Sequence, residues 1–338
     1  MINSALFSRR EALRLAGCAA ALCSPRSWAN GRAVDESGYV PIGGIEQWVQ
    51  IRGDSRDNPV LLWLNGGPGY STIPYAPAYR SWERNFTLVM WDQRGEGKTF
   101  ERSGRSVAPR MTIKRMAEDG IELAEYLCRH LHGKKIILLG HSWGSILGIH
   151  MIKLRPDLFS AYVGTGQIVD LEQDAQVAYP LLLARAKRLH NTLATRQLEA
   201  VGPPPYPDTP KKWVWIRWAN ELDPTPRGLW AALRGGKTEP AYIEEGANFS
   251  QSLMWSSIMQ DDLPKLGVDF KVPIFFIQGA QDDLAVTALA RKYFERIHAP
   301  LKKFIVLPQV GHLAIFAARK AFLAQLLKWV RPLAIAAS

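Results

Sequence analysis

Residues 134–144 read Lys134-Lys135-Ile136-Ile137-Leu138-Leu139-Gly140-His141-Ser142-Trp143-Gly144, and Ser145-Ile146-Leu147-Gly148-Ile149-His150-Met151-Ile152 follows directly. A short apolar run, a Gly-X-Ser-X-Gly turn and a helical stretch form one continuous pattern of buried strand, sharp turn and helix. A serine hydroxyl is a poor nucleophile unless a strained turn aims it at a base. The glycines two positions before and after Ser142 remove Cβ atoms that would collide where strand and helix fold back on each other. The pattern marks Ser142 as the candidate nucleophile of an α/β protein.

The partners of such a serine are expected downstream, acid first and histidine second. Val272-Pro273-Ile274-Phe275-Phe276-Ile277-Gln278 is another buried-strand run, followed by Gly279-Ala280-Gln281-Asp282-Asp283. A helical stretch over 287–297 then leads to a strand over 304–307 and to Gln309-Val310-Gly311-His312. An acid thus falls just past one strand and a histidine just past the next, and open α/β sheets carry their sites at the carboxyl ends of strands. His312 is expected to take the proton of Ser142 and return it to the leaving group, while the acid holds the imidazole tautomer. Residue chemistry alone does not separate Asp282 from Asp283. One is expected to face the histidine and the other to cap the following turn or helix. His141 adjoins the serine, but neighbours on a tight turn point apart, so His312 is the expected base.

Val60-Leu61-Leu62-Trp63-Leu64 is a short buried strand that runs into Asn65-Gly66-Gly67-Pro68-Gly69. A glycine-dense loop after a strand lets backbone N–H groups approach a developing oxyanion. The expected donors are the N–H groups of Gly67 and of Trp143. A further strand over 86–91 leads to Asp92-Gln93-Arg94, read as a buried Asp–Arg pair bracing the loops around the site.

These segments together resemble the proline iminopeptidase branch of the α/β-hydrolases. Asn65-Gly66-Gly67-Pro68-Gly69 looks like that branch's HGGPG loop, with Asn65 in place of histidine. Trp91-Asp92-Gln93-Arg94-Gly95-Glu96-Gly97-Lys98-Thr99 resembles its WDQRGxGxS segment. Gly140-His141-Ser142-Trp143-Gly144-Ser145 is similar to its elbow, with Ser145 replacing the last glycine. Gly279-Ala280-Gln281-Asp282 falls where the branch has G-x-x-D, so the resemblance favours Asp282, and Gly311-His312 matches its Gly-His. The resemblance implies a serine hydrolase with a Ser142, Asp282, His312 triad. The Asn65 departure should alter loop support more than the backbone donors.

The chain has 338 residues, enough for a large α/β core and an inserted subdomain. Residues 34–52 read as an opening hairpin around Gly43-Gly44, and 112–131 as a long helix with Met116, Ile121, Leu123, Ala124 and Leu127 on its apolar face. After the strand Ala161–Thr165 the βα rhythm stops, and 170–268 shows helical patterns broken by Gly202-Pro203-Pro204-Pro205 and Asp223-Pro224-Thr225-Pro226. The expected fold is a mostly parallel central sheet flanked by helices, with core segments 30–169 and 269–338 and a helical cap, 170–268, inserted after the sixth core strand.

Residues 1–29 read as a processing segment. Ser8-Arg9-Arg10-Glu11-Ala12-Leu13-Arg14 resembles a twin-arginine export motif, an apolar stretch follows, and Ser27-Trp28-Ala29 offers a cleavage site. A periplasmic or secreted location is expected, with a cytoplasmic one as the alternative. Leu15-Ala16-Gly17-Cys18 also fits a lipobox, but Arg14 leaves little apolar run before it. Loss of Cys18 and Cys23 with the signal would leave Cys128 alone, which excludes an internal disulfide.

The net charge is +11, and the segment 1–29 holds four arginines against one glutamate, so about +8 remains beyond it. The basic residues are scattered, without a nucleic-acid motif, and read as solvated surface. No apolar run approaches the ~20 residues of a spanning helix. No G-x-G-x-x-G follows an early strand, and no His, Cys and carboxylate cluster has metal-ligand spacing, so cofactor-free chemistry on a small molecule or short peptide is expected. The sequence leaves the oligomeric state open.

The expected activity is hydrolysis of small esters or amides through an acyl-enzyme, with a non-catalytic binding scaffold as the alternative. The insertion is aromatic: Trp213, Trp215 and Trp218 lie close together, with Trp230, Phe249 and Trp255 beyond. Their default role is packing alone, with the lining of an apolar substrate pocket by at least one of them as the alternative. The resemblance implies release of an unblocked N-terminal residue, preferably proline, with a small-ester hydrolase or amidase as the close alternative. Recognition of the free α-amine needs a carboxylate near the nucleophile. Glu221, Glu244 and Glu245, with Trp218 as aromatic wall, are the candidates.

Overall fold

The computed structural model describes residues 33–131, 135–206, 209–226 and 228–337. The expected export segment, 1–29, lies outside the described residues.

Eight strands among them form one sheet: β1 (Val34–Ile42), β2 (Ile45–Gly53), β3 (Val60–Leu64), β4 (Thr87–Trp91), β5 (Ile136–His141), β6 (Phe159–Thr165), β7 (Ile274–Gly279) and β8 (Lys302–Leu307). Their order is β1-β2-β4-β3-β5-β6-β7-β8. β1 and β2 make the expected antiparallel hairpin, β2 pairs antiparallel with β4, and every pairing from β4 to β8 is parallel. Strands buried on both faces have no polar alternation to show, which is why β3, β4 and β5 are continuous apolar runs. Alternate residues divide between two cores. Leu62, Leu64, Val89, Leu138 and Phe276 face one layer. Leu61, Trp63, Met90, Leu139 and Phe275 face the other.

Two short helices, α1 (Arg80–Glu83) and α2 (Gly97–Ser103), flank β4. The predicted long helix is α3 (Ile113–His130), capped by the Thr112 hydroxyl, which accepts the Arg115 N–H. It buries Met116, Leu123, Ala124 and Leu127. The helix after the serine, α4 (Trp143–Leu154), starts earlier than the periodicity suggested, one residue after Ser142. Between β6 and β7 the chain forms α5 (Leu171–Arg188), α6 (Thr192–Val201), α7 (Thr209–Glu221), α8 (Leu229–Leu233) and α9 (Ala241–Gln260). An isolated bridge between Asp170 and Asp262 brings the entry and exit of this helical insertion together. α10 (Thr287–Arg296) then crosses from β7 to β8. No helix among the described residues is long and apolar enough to cross a membrane.

The expected Asp92–Arg94 pair does not form. Arg94 pairs with Asp119 of α3, through Nε at 2.8 Å and Nη2 at 3.2 Å, and donates to the Gly43 carbonyl. Asp92 accepts instead from Ser71 and from the Lys98 N–H. A sequence pattern cannot choose between acids brought near by the fold, and only Asp119 arrives with both oxygens facing the guanidinium. Arg94 and Asp119 are both fully buried. Asp119→Ala therefore strands a buried cation and is expected to cost about 3–5 kcal/mol in urea denaturation. A loss below about 1 kcal/mol would mean that Arg94 is adequately held without the pair.

Candidate active site

Ser142 stands at φ 55° and ψ −122°, a backbone conformation that L residues avoid, between the last residue of β5 and the first of α4. The turn is held from below, where the Ser142 N–H donates to the Thr165 carbonyl (3.1 Å). Both flanking glycines are sterically required, Gly140 by the predicted strand-to-helix contact and Gly144 by the neighbouring strand β3. A Cβ on Gly140 would sit 2.4 Å from the Gly144 carbonyl oxygen, and one on Gly144 would sit 2.1 Å from that of Leu64. Ser145, where the resembled motif has glycine, donates to the Ser142 carbonyl (2.6 Å) and accepts the Ile168 N–H (3.1 Å). The hydroxyl thus ties the elbow to the loop after β6.

His312 follows β8, and its Nδ1 lies 3.0 and 3.2 Å from the two oxygens of Asp282, which follows β7. Asp282 Oδ1 also accepts the N–H groups of Leu284 and Ala285 (3.0 and 2.9 Å). One acid therefore both faces the histidine and caps the next turn. Asp283, expected to make that cap, instead pairs with Arg185 of α5 at 2.7 Å. Burial pushes the Asp283 carboxyl up to about 6 against the pull of Arg185. Burial disfavours the charged form of His312, but Asp282 and Asp223 outweigh it and raise the imidazole above its ordinary value.

His141 does not point away from the site. Its Nε2–H donates to the His312 carbonyl (3.1 Å), and the two rings lie 5.1 Å apart. A carbonyl only accepts, so the proton of neutral His141 is on Nε2. Burial pushes this imidazole down to about 3, with His312 adding repulsion, so it stays neutral. Tight-turn geometry separates neighbouring Cβ atoms, but His141 is long enough to reach across the site to the next loop. A glycine at 166 is also required: at φ +50°, its added Cβ would meet His312 Cε1 at 2.8 Å.

The glycine-rich loop after β3 lies against the serine. Gly67 at φ +118° lines the same cavity as Ser142, Trp143 and His312. The Asn65 amide braces this loop, donating to the Trp91 carbonyl (3.1 Å) and to Glu96 and accepting the Thr72 hydroxyl (2.7 Å). Burial pushes the Glu96 carboxyl well above its usual range, and the neighbouring Asp92 adds to it. Asparagine in place of histidine thus supplies a donor to a buried acid, in keeping with a supporting role.

The cavity over Ser142 and His312 has a volume of about 660 Å³, within the usual range for a small-molecule site. Trp213, Trp230 and Trp255 line it, with Tyr75 and Phe316. Trp213 stacks on Trp255 at 5.3 Å. Trp215 and Phe249 are packing residues, as is Trp218, whose Nε1 donates to Gln197 (3.0 Å) outside the cavity lining. The structure does not bring Glu221, Glu244 or Glu245 into the lining either. Glu221 pairs with Arg217 on an exposed helix face at 2.6 Å, and Glu244 and Glu245 are exposed on α9. The acid that does line the cavity, alone among the described residues, is Glu239. It accepts the Tyr75 hydroxyl (3.0 Å) and pairs with Arg234 (3.4 Å), both on Oε1. Burial and the adjacent Glu239 raise the Tyr75 phenol, so it remains a donor. Glu239 sits in a loop with no helical periodicity, and no sequence signal marked it.

Residues 60–317 match the family model described as Serine aminopeptidase, S33. The chain belongs to the S33 serine aminopeptidase family. As an S33 member it is a serine hydrolase of the α/β-hydrolase fold, in the proline iminopeptidase-like branch. A protein of Bacillus subtilis (strain 168) named "Probable aminopeptidase YbaC" is 30% identical over 80% of this chain and 88% of its own length. A proline iminopeptidase of Lactobacillus helveticus (strain DPC 4571) is 26% identical, covering 87% of this chain and 97% of its own. Among solved structures, a proline iminopeptidase-related protein of Thermus thermophilus shares the fold at a TM-score of 0.62 and 24% identity, with 89% of this chain and 99% of that one covered.

Proposed function

We propose that this S33 hydrolase releases an N-terminal, proline-type residue from short peptides or small amides. Ser142 Oγ attacks the scissile carbonyl carbon as its proton passes to His312 Nε2. Asp282 on Nδ1 holds that tautomer and stabilises the imidazolium. The N–H groups of Gly67 and Trp143 stabilise the oxyanion. Collapse breaks the C–N bond, the leaving amine takes the proton from His312, and an acyl-enzyme remains on Ser142. Water, deprotonated by His312, then releases the acid and restores the hydroxyl. The helical insertion acts as a cap, contributing Trp213, Trp230 and Trp255 as an apolar wall for a compact ring.

One observation carries the substrate assignment: Glu239 is the acid in the lining that also contains Ser142 and His312. A buried ammonium needs a charged partner, and Oε2 of Glu239 takes no hydrogen bond from the described residues. A second reading, a small-ester hydrolase that ignores the amine, is favoured by Arg234 already engaging the other oxygen.

Prolyl arylamides with free and acetylated amines, beside p-nitrophenyl esters, separate the two readings. Glu239→Gln is expected to raise KM for the free-amine amide about 10–100-fold, the worth of one charge-assisted bond, and to leave ester turnover nearly unchanged. Cleavage of the acetylated amide as fast as the free one would move the assignment to the esterase reading.

A further inference from the structure

The His312 peptide unit is held on both sides. His141 takes its carbonyl, as described, and its N–H donates to Oδ2 of Asp223 at 2.7 Å. Asp223 belongs to the helical insertion, just beyond α7, in the Asp223-Pro224-Thr225-Pro226 segment that the sequence shows only as a break between helices. Its other oxygen accepts the Thr225 N–H (3.0 Å) and the Thr225 hydroxyl. Accepting two backbone N–H groups on separate oxygens suits a carboxylate and no other side chain of this length. The contact is tight enough to dictate the neighbour: a Cβ on Gly311 would lie 2.1 Å from Asp223 Oδ2 and 2.9 Å from Pro224 Cδ.

The structure assigns Asp223 the role of a positioning residue, by which the helical insertion holds the backbone of His312 and so couples its own seating to the aim of the base. The inference rests on His312 acting as base for Ser142. Asp282 orients the imidazole about its ring, and Asp223 fixes the main chain from which the ring projects. A displaced insertion would leave the His312 N–H without its acceptor and let the loop shift. Misplacement of a reacting group by about 1 Å can cost 10²-fold in rate.

Asp223 also places a second negative charge on His312, beside Asp282. The other titratable group facing that ring is His141, which is neutral, and behind Asp282 lie Asp174 and the Asp283–Arg185 pair. Burial pushes Asp223 itself up, and its bond from Thr225 and the proximity of His312 oppose this.

The test uses the full chain and the rate of covalent labelling by a fluorophosphonate, which depends on the serine and its base and not on the peptide substrate. For Asp223→Ala the limiting rate is expected to fall about 10–10²-fold. Asp223→Asn keeps one acceptor and is expected to lose less. Its acid limb should move to lower pH, because the imidazolium loses a nearby negative charge while base action needs the neutral ring. Circular dichroism confirms the folded state of each variant. Folded variants with the wild-type limiting rate and an unshifted limb would overturn the assignment. If Asp223→Ala does not fold, the limb of Asp223→Asn decides alone. Wild-type protein that takes no label would instead overturn the serine hydrolase mechanism on which the inference rests.

Discussion

Ser142→Ala is expected to lower turnover by about 10⁴-fold or more while leaving the thermal midpoint near that of the wild type. In the proposed mechanism the hydroxyl forms the covalent bond, so no neighbour can replace it. The strained φ of 55° is set by the strand and helix on either side, and alanine meets the same backbone constraint as serine. His312→Ala is expected to lose nearly as much, because the proposed mechanism then leaves Ser142 without a base and the leaving amine without an acid. His141→Ala should cost far less, since its ring holds the His312 carbonyl and takes no proton in the proposed mechanism. Steady-state kinetics on an arylamide, with fluorophosphonate labelling as the substrate-independent check, reads all three. A dead His141→Ala beside an active His312→Ala would reverse the assignment of the base.

The two adjacent acids provide the second large effect. Asp282→Asn is expected to reduce turnover about 10³–10⁴-fold, because a carboxamide can turn its NH₂ towards Nδ1 and stabilise the wrong tautomer. Asp283→Asn should leave turnover nearly unchanged. Its effect falls on the contact with α5, where Arg185 loses a charged partner at 2.7 Å. Kinetics at a pH above the acid limb, with a melting curve for each variant, separates the two roles. Equal loss of activity in both would show that Asp283 shares the orientation of His312.

Much of this molecule is legible in its sequence, for a local reason. A doubly buried strand must be apolar throughout, so β3, β4, β5 and β7 stand out as runs, and a strand that turns sharply into a helix must carry glycines where backbones touch. The Gly140 requirement acts inside the elbow itself, Gly144 answers to Leu64 of β3, and strand-end placement puts Asp282 and His312 just past β7 and β8. The family resemblance chose between Asp282 and Asp283, and the 3.0 Å contact to His312 agrees with it.

What the tertiary structure alone decided are the contacts between segments distant in the chain. Arg94 is 25 positions from Asp119, and His141 is 171 from the carbonyl it holds. Their partners are chosen by how sheet and helices pack, which no local pattern encodes. The substrate side of the site was least legible. Glu221, Glu244 and Glu245 were plausible because they are acids near aromatics, yet their places on helix faces turn them outward. Glu239 and Asp223 lie in irregular segments, where no periodicity announces which way a side chain points. There, only the packing of the insertion determines that one acid meets the cavity and the other meets the backbone of His312.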